Sequence, residues 1–248
     1  MSTRPDGRRT DELRPFSFVR DFTTMTTGSC LVTFGETRVL CVASVEDDVP
    51  RWMKGKGEGW VTAEYSMLPG SSPERIRRER GGAKGRTQEI ERLIGRSLRA
   101  VTDMTALGET SIRLDCDVLQ ADGGTRSASI CGAYVALHDA CERLVQEGRI
   151  AANPLQTECA AISVGIIDGD ARLDLPYVED ATADVDFNVI MTGAGGLIEV
   201  QGTAEGRTFS RAQLDELLDL AEAGITDIVA AQREVLAAPP TPRSAGRD

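Results

Sequence analysis

One domain combining strands and helices, of α/β or α+β class, is what the sequence predicts, and three observations carry the prediction. Short runs rich in Val, Thr, Phe and Cys dominate the early part of the chain. Two internal segments and the C-terminal region switch to helical spacing of apolar residues. No internal repeat and no clear linker divides the chain, so a single domain over residues 1–236 is expected, with residues 237–248 as a disordered tail.

The elements follow in order. Between Arg14 and Val49 the run SCLVTFGETRVLCVASVE carries a turn signal at Gly35-Glu36, which predicts a hairpin of two strands. A Gly/Lys loop, RWMKGKGEG, then leads into a strand near Trp60 to Ser66. From Leu68 to Gly85 the chain is polar, basic and punctuated by Pro and Gly, and is read as a mobile loop. Thr87-Gln88-Glu89-Ile90 resembles an N-cap followed by an acidic first turn, and Ile90, Leu93, Ile94, Leu98 and Val101 recur at helical spacing. TSIRLDCDVLQ alternates as a strand, and the helix after it runs to about Gly148 with Ile130, Tyr134, Leu137, Cys141 and Leu144 on its apolar face. CAAISVGIID and ARLDLPY give two further strands, and ADVDFNVIMTGAGGLIEVQGTAEG gives a hairpin turning at Gly193 to Gly196. The periodicity of LDELLDLAEAGI marks a last helix from about Ser210 to Leu236.

Composition narrows the chemistry. With 248 residues and 41% apolar content the chain can bury a sizeable core. It has no long uncharged apolar run, and MSTRPDGRRTDELRPF has no apolar segment behind its arginines, so a cytoplasmic protein is expected. The six cysteines form no CxxC pair and sit in apolar runs, which argues against disulfides and a zinc site. His138 is the only histidine, so mechanisms that need two imidazoles are excluded. Catalysis would rest on carboxylates, arginines and a metal.

Charge points the same way. The chain carries a formal net charge of -11, yet between Arg75 and Arg99 nine basic residues face three acidic ones. Such a local excess reads as an anion-binding face. Arg75, Arg77, Arg78 and Arg80 lie in the loop, and Arg92, Arg96 and Arg99 recur three or four residues apart along one side of the following helix.

Three constellations could carry chemistry. Gly123-Gly124-Thr125-Arg126-Ser127 opens a helix, where unpaired backbone N–H groups and the helix dipole favour an anion, and glycine, hydroxyl and guanidinium together suit phosphate. The bland alternative is a helix cap in which Thr125 or Ser127 satisfies the backbone. Arg86 stands at a second helix start, so Arg86 and Arg126 could hold one oxyanion from two sides. In VEDATADVDFN, Asp184 and Asp186 are two apart at a strand start and Asp180 lies in the turn before them. Clustered carboxylates suit a hard divalent cation, or a protonated general acid, against the alternative of a solvated acidic turn. GAGGLIEVQG only partly mimics a dinucleotide fingerprint, and no GxxxxGK[ST] motif exists.

KGKGEGWVTAEYSMLP, GRTQEIERLIGRSLRA, LDCDVLQADGGTRSASICGAYVAL, LPYVEDATADVDFNVIMTG and IEVQGTAEG, in that order, resemble the ribonuclease PH family, from about Arg4 to Leu236. The resemblance implies an α+β fold similar to the second domain of ribosomal protein S5, with a mixed sheet and packed helices. It implies a phosphate-dependent 3′-to-5′ exoribonuclease, a nucleotidyltransferase that trims tRNA precursors, releases nucleoside diphosphates and runs in reverse. It places phosphate on Arg86, Gly124, Thr125 and Arg126, and Mg2+ (or Mn2+) with general-acid function on Asp180 and Asp186, supported by Asp184. It further implies RNA contact by the arginine loop and assembly as a homohexamer, a trimer of dimers. Where many relatives carry an arginine directly after MLP, this chain has Gly70.

Overall fold

The computed structural model describes residues 4–79, 82, 85–205 and 208–243. Two sheets sandwich one long helix. The first sheet has strand order β1-β2-β3-β5-β4 and is built from β1 (Phe16–Arg20), β2 (Gly28–Phe34), β3 (Thr37–Glu46), β4 (Trp60–Met67) and β5 (Ser111–Gln120). Its pairs are antiparallel except β4 with β5, which run parallel, so this sheet is mixed. The second is an antiparallel sheet of order β7-β6-β8-β9, from β6 (Cys159–Ile167), β7 (Asp170–Leu173), β8 (Val185–Thr192) and β9 (Leu197–Ala204).

The helix between them is α3 (Thr125–Gln146), which packs on β2, β3 and β5 on one side and on β6 on the other. Ser129, Ile130, Leu137 and Leu144 are all buried on it. A helix covered from two sides needs apolar or small residues all round rather than one stripe, and SASICGAYVAL supplies them. Gly132 permits the closeness: a Cβ there would stand 2.6 Å from a Val32 methyl and 2.9 Å from the Cys41 sulfur. Helix α1 (Gly85–Ala100) covers β4, and α5 (Arg211–Leu236) covers β6 and β7. All six cysteines are buried free thiols. Among the described residues no helix is long and apolar enough to cross a membrane.

The structure adds three elements to the predicted set. Strand β1 is only five residues long and exists through its pairing with β2. Helix α2 (Met104–Leu107) is one turn, capped by the Asp103 carboxylate, which accepts from Thr105 N and Ala106 N. Helix α4 (Tyr177–Asp180) starts at the last residue of the run ARLDLPY, of which only the first three residues belong to strand β7.

One local expectation is corrected, and the first part of the tail makes contacts of its own. Helix α1 begins at Gly85, so Thr87 is inside the first turn, and no acidic residue lies there. The Thr87 hydroxyl donates to Glu79 Oε1 at 3.1 Å instead of capping the backbone. The tail is held at Pro240, Thr241 and Arg243. Arg143 donates to the carbonyl of Thr241, Gln146 to that of Pro240, and Arg243 to the Asp21 carboxylate, so backbone carbonyls of a Pro-rich strip satisfy side chains of α3. Residues 244–248 lie outside the described residues.

Candidate active site

Strand β5 delivers the chain to a tight corner between the sheets. Beyond Gln120, Ala121 N donates to Ser71 O, which pins the arginine loop beside the end of β5. Asp122 N donates to the Thr37 hydroxyl, and that hydroxyl donates to Gly123 O at 2.7 Å. Gly123 and Gly124 both adopt left-handed backbone, with φ of 73° and 64°. A side chain on Gly123 would also collide with Leu175 O at 2.5 Å and Tyr177 N at 2.7 Å, so glycine is required twice over. The turn brings the α4 backbone against the start of α3.

Gly124 is the N-cap of α3, and among the described residues no side chain caps that helix start. The capping alternative therefore fails for both hydroxyls. Thr125 Oγ1 pairs with the Tyr65 hydroxyl at 2.9 Å, and Ser127 Oγ contacts Asn188 Oδ1 at 3.4 Å. The helix start is left with its positive end facing a cavity of about 660 Å3.

That cavity gathers most of the predicted phosphate and metal residues. Arg86, Gly124, Thr125, Arg126, Asp180 and Asp186 all line it, although they come from α1, α3, α4 and β8. Arg126 stands 3.7 Å from Glu89 and donates to Gln201 at 3.3 Å. Asp180 ends the α4 turn, its N–H donating to Pro176 O at 3.0 Å. Asp186 and Asn188 are two apart on β8, and both face the cavity.

The electrostatics are mixed by construction. Burial pushes the Asp186 carboxyl up to about 6, the neighbouring Asp180 adds to the rise, and Arg126 and Arg86 oppose it. Burial likewise raises Asp180, against the pull of Arg126, Arg86 and Arg14. Asp186 Oδ1 is buried with no hydrogen-bond partner among the described residues. A carboxylate oxygen in that position calls for a proton or a cation. The chemistry of the two carboxylates would fit a hard divalent ion. Among the described residues no group of three or more His, Cys, Asp or Glu is arranged as a metal site.

Other predicted residues are placed elsewhere. Asp184 precedes β8, where the two-residue alternation does not yet hold, and it lines a separate cavity with Phe209 and Gln213 instead of joining Asp186. Arg75 lines the main cavity, whereas Arg77 and Arg78 line an adjoining one of about 420 Å3 that shares Arg86. Arg80 lies outside the described residues. The stripe on α1 is divided: Arg92 is exposed, Arg96 is bidentate to Glu199 on β9, and Arg99 donates to Val61 O and lies over the Trp60 ring. None of the three lines the main cavity.

Sequence reasoning passed over Tyr65, Ser163, Tyr177 and Asn188. Asn188 had a signal, since it is the next same-face residue after Asp186 in the apolar run VDFNVIM. The other three are brought in by pairing of distant segments, as when Leu175 N donates to Ser163 Oγ at 3.1 Å.

Comparison with known proteins places the chain in a family. The model of the 3′ exoribonuclease family, domain 1, matches residues 12–141, and that of domain 2 matches residues 158–224. Ribonuclease PH of Corynebacterium kroppenstedtii is 60% identical over 238 residues, covering 95% of this chain and 94% of the relative. Ribonuclease PH of Mycobacterium sp. (strain KMS) is 57% identical over 242 residues, covering 96% and 93%. Among solved structures, rice (Oryza sativa) Rrp46 has a TM-score of 0.76 at 22% identity over 95% of this chain and all of its own. The Archaeoglobus fulgidus exosome with RNA bound to the active site has a TM-score of 0.76 at 20% identity, over 94% of this chain and 92% of its own, and these two show the shared fold. With both domain models matched and more than half of all residues shared with ribonuclease PH relatives along nearly the full length, the chain belongs to the 3′ exoribonuclease family.

Proposed function

We propose that the cavity between α1, α3, α4 and β8 is where this chain carries out phosphorolysis, and that its arginines and carboxylates divide the work. Membership beside ribonuclease PH makes the chain a phosphorolytic 3′-to-5′ exoribonuclease, a nucleotidyltransferase with inorganic phosphate as co-substrate and a role in tRNA processing. The observation that supports the assignment of the cavity is the convergence there of Arg86, the uncapped Gly124 to Arg126 helix start, Asp180 and Asp186.

In this reading Arg86 and Arg126, with the N–H groups of the α3 start, hold phosphate in place for attack on the terminal 3′,5′-phosphodiester. Bidentate guanidinium contacts fix its orientation, which is where most catalysis of phosphoryl transfer originates. The same guanidiniums stabilise charge that develops on the phosphoryl oxygens. In its protonated form, which burial favours and in which it does not ligate a metal, Asp180 can donate a proton to the departing 3′-oxygen. Asp180 and Asp186 would hold Mg2+ or Mn2+, which when bound supplies further neutralisation of phosphoryl charge. The products are a nucleoside diphosphate and a chain shorter by one, and because the energy of the cleaved bond is kept, nucleoside diphosphate in excess reverses the reaction.

The partners are 3′ ends of tRNA precursors and other RNA, gripped by Arg75, Arg77, Arg78 and Arg80 through phosphates. Arg92 extends that surface, and Arg96 and Arg99 border it while holding their own partners. A homohexamer, a trimer of dimers, would bring several such faces together in one cytoplasmic particle. The deciding experiment incubates the purified protein with a 3′-extended tRNA and Mg2+, with and without inorganic phosphate. Phosphate-dependent release of nucleoside diphosphates is expected. Nucleoside monophosphates released without phosphate would mean hydrolysis and overturn the reading.

A further inference from the structure

One aromatic residue among the described lining of the cavity has no part in the phosphate or metal assignments. We propose that the Tyr177 ring is the platform on which the 3′-terminal base of the RNA stacks, an inference that rests on the phosphorolytic reading of the same cavity.

Size supports a second occupant. At roughly 30 Å3 per water-sized group, a five-atom phosphate takes on the order of 150 Å3. The cavity measures about 660 Å3, so most of it is open to the nucleotide whose bond is attacked. Its wall also offers two kinds of surface. Arg86, Arg126, Asp180 and Asp186 are charged, while Met67, Pro73, Ile76 and Tyr177 supply apolar area. A nucleotide likewise carries a charged phosphate and a flat apolar base.

Tyr177 is 62% exposed, so it contributes little to the core. A large aromatic left open beside a charged cavity is better explained by a ligand than by packing. Its backbone, by contrast, is fixed. Tyr177 N donates to Asp122 Oδ1 at 3.3 Å, its carbonyl accepts from Ala181 N at 2.9 Å, and Gly123 is pressed against it. Tyr177 and Asp180 begin and end the same helical turn. One turn therefore anchors the backbone that carries the ring beside both the proton donor and the phosphate helix. Stacking suits the task because every base offers a π-face, and a trimming enzyme must accept each base in turn.

The test uses a single-stranded RNA oligonucleotide with an ordinary or an abasic 3′-terminal nucleotide, and compares wild type with Tyr177→Ala, Tyr177→Phe and Tyr177→Trp. Equilibrium binding is measured without phosphate, and phosphate-dependent shortening by one nucleotide is measured beside it. Tyr177→Ala should weaken binding of the ordinary end at least about fivefold and lower kcat/KM to match, with the phosphate half-saturation unchanged. Tyr177→Phe and Tyr177→Trp should stay near wild type. The abasic end should cost wild type the same factor and cost Tyr177→Ala almost nothing. Equal binding of the ordinary end by wild type and Tyr177→Ala, or an abasic penalty undiminished in Tyr177→Ala, overturns the stacking role. Loss of phosphate dependence in wild type overturns the phosphorolytic reading instead, and the binding comparison still decides the role of the ring.

Discussion

The Tyr65 hydroxyl and the Thr125 hydroxyl stand 2.9 Å apart in the interior, tying the strand before the arginine loop to the first residue of the phosphate helix. Tyr65→Phe removes one partner and leaves the buried Thr125 hydroxyl unsatisfied, at about 1–2 kcal/mol of stability. Because the tie ends at Thr125, the variant should also need more phosphate for half-maximal rate while its RNA affinity holds. A urea melt and a phosphate titration check the two parts. A wild-type phosphate curve would show that the tie only supports the fold.

Arg86 and Arg126 approach the cavity from two helix starts, and each is expected to contribute charge-assisted hydrogen bonds worth about 1.5–3 kcal/mol. Arg86→Ala and Arg126→Ala should each raise the phosphate concentration for half-maximal rate by about tenfold or more. Lysine at either position keeps the charge but loses the planar fork, so it should restore only part of the loss. Unchanged phosphate dependence in both alanine variants refutes the clamp.

What was readable in the sequence follows from how local each signal is. The α3 start announces itself within five residues, because its glycines, hydroxyl and arginine are consecutive. Strand β1 and the α4 turn do not, since one depends on pairing with β2 and the other on the Gly123 corner 54 residues before Tyr177. The spacing of Arg92, Arg96 and Arg99 was visible as a stripe, but the partners of two of them, Glu199 and Trp60, are distant in sequence. Asp184 and Asp186 looked equivalent by alternation, and only the structure shows where β8 begins. Two helix starts already suggested pairing Arg86 with Arg126, and the family resemblance connected that pair to Asp180 and Asp186 across the chain.

Asp186 gives a pH prediction with a definite sign. Its folded-state value of about 6 lies above the unfolded value near 4, so in that window the folded chain binds more protons. Metal-free stability contributed by this group is therefore present at low pH and is lost as pH rises through about 6. Asp186→Asn removes the effect, and the variant should be more stable than wild type at pH 8, by on the order of 1–3 kcal/mol, with the gap closing toward pH 4. Added Mg2+ at pH 8 should stabilise wild type and leave the variant unmoved, while turnover is lost. Parallel stability curves across this range would show that the carboxyl is no less hydrated folded than unfolded.

Glu179, the neighbour of Asp180 on α4, is held by two arginines in the interior. Arg4 donates to it through Nη2 at 2.7 Å and Nε at 3.1 Å, and Arg172 through Nη1 at 2.7 Å. All three side chains are almost entirely removed from solvent. Glu179→Met would leave two guanidiniums buried without their carboxylate, which costs about 3–5 kcal/mol, whereas replacing a whole buried charge group by apolar side chains is often close to neutral. The Arg4→Met and Glu179→Met changes combined should therefore destabilise by less than the sum of the two alone. Since the clamp sets the turn that carries Asp180 and touches neither phosphate arginine, surviving activity in Arg4→Met should show a lowered kcat with an unchanged phosphate half-saturation. Strict additivity in urea melts would mean that Arg4 is anchored mainly by the carbonyls of Leu173 and Asp174, to which it also donates, and that the carboxylate pair adds little.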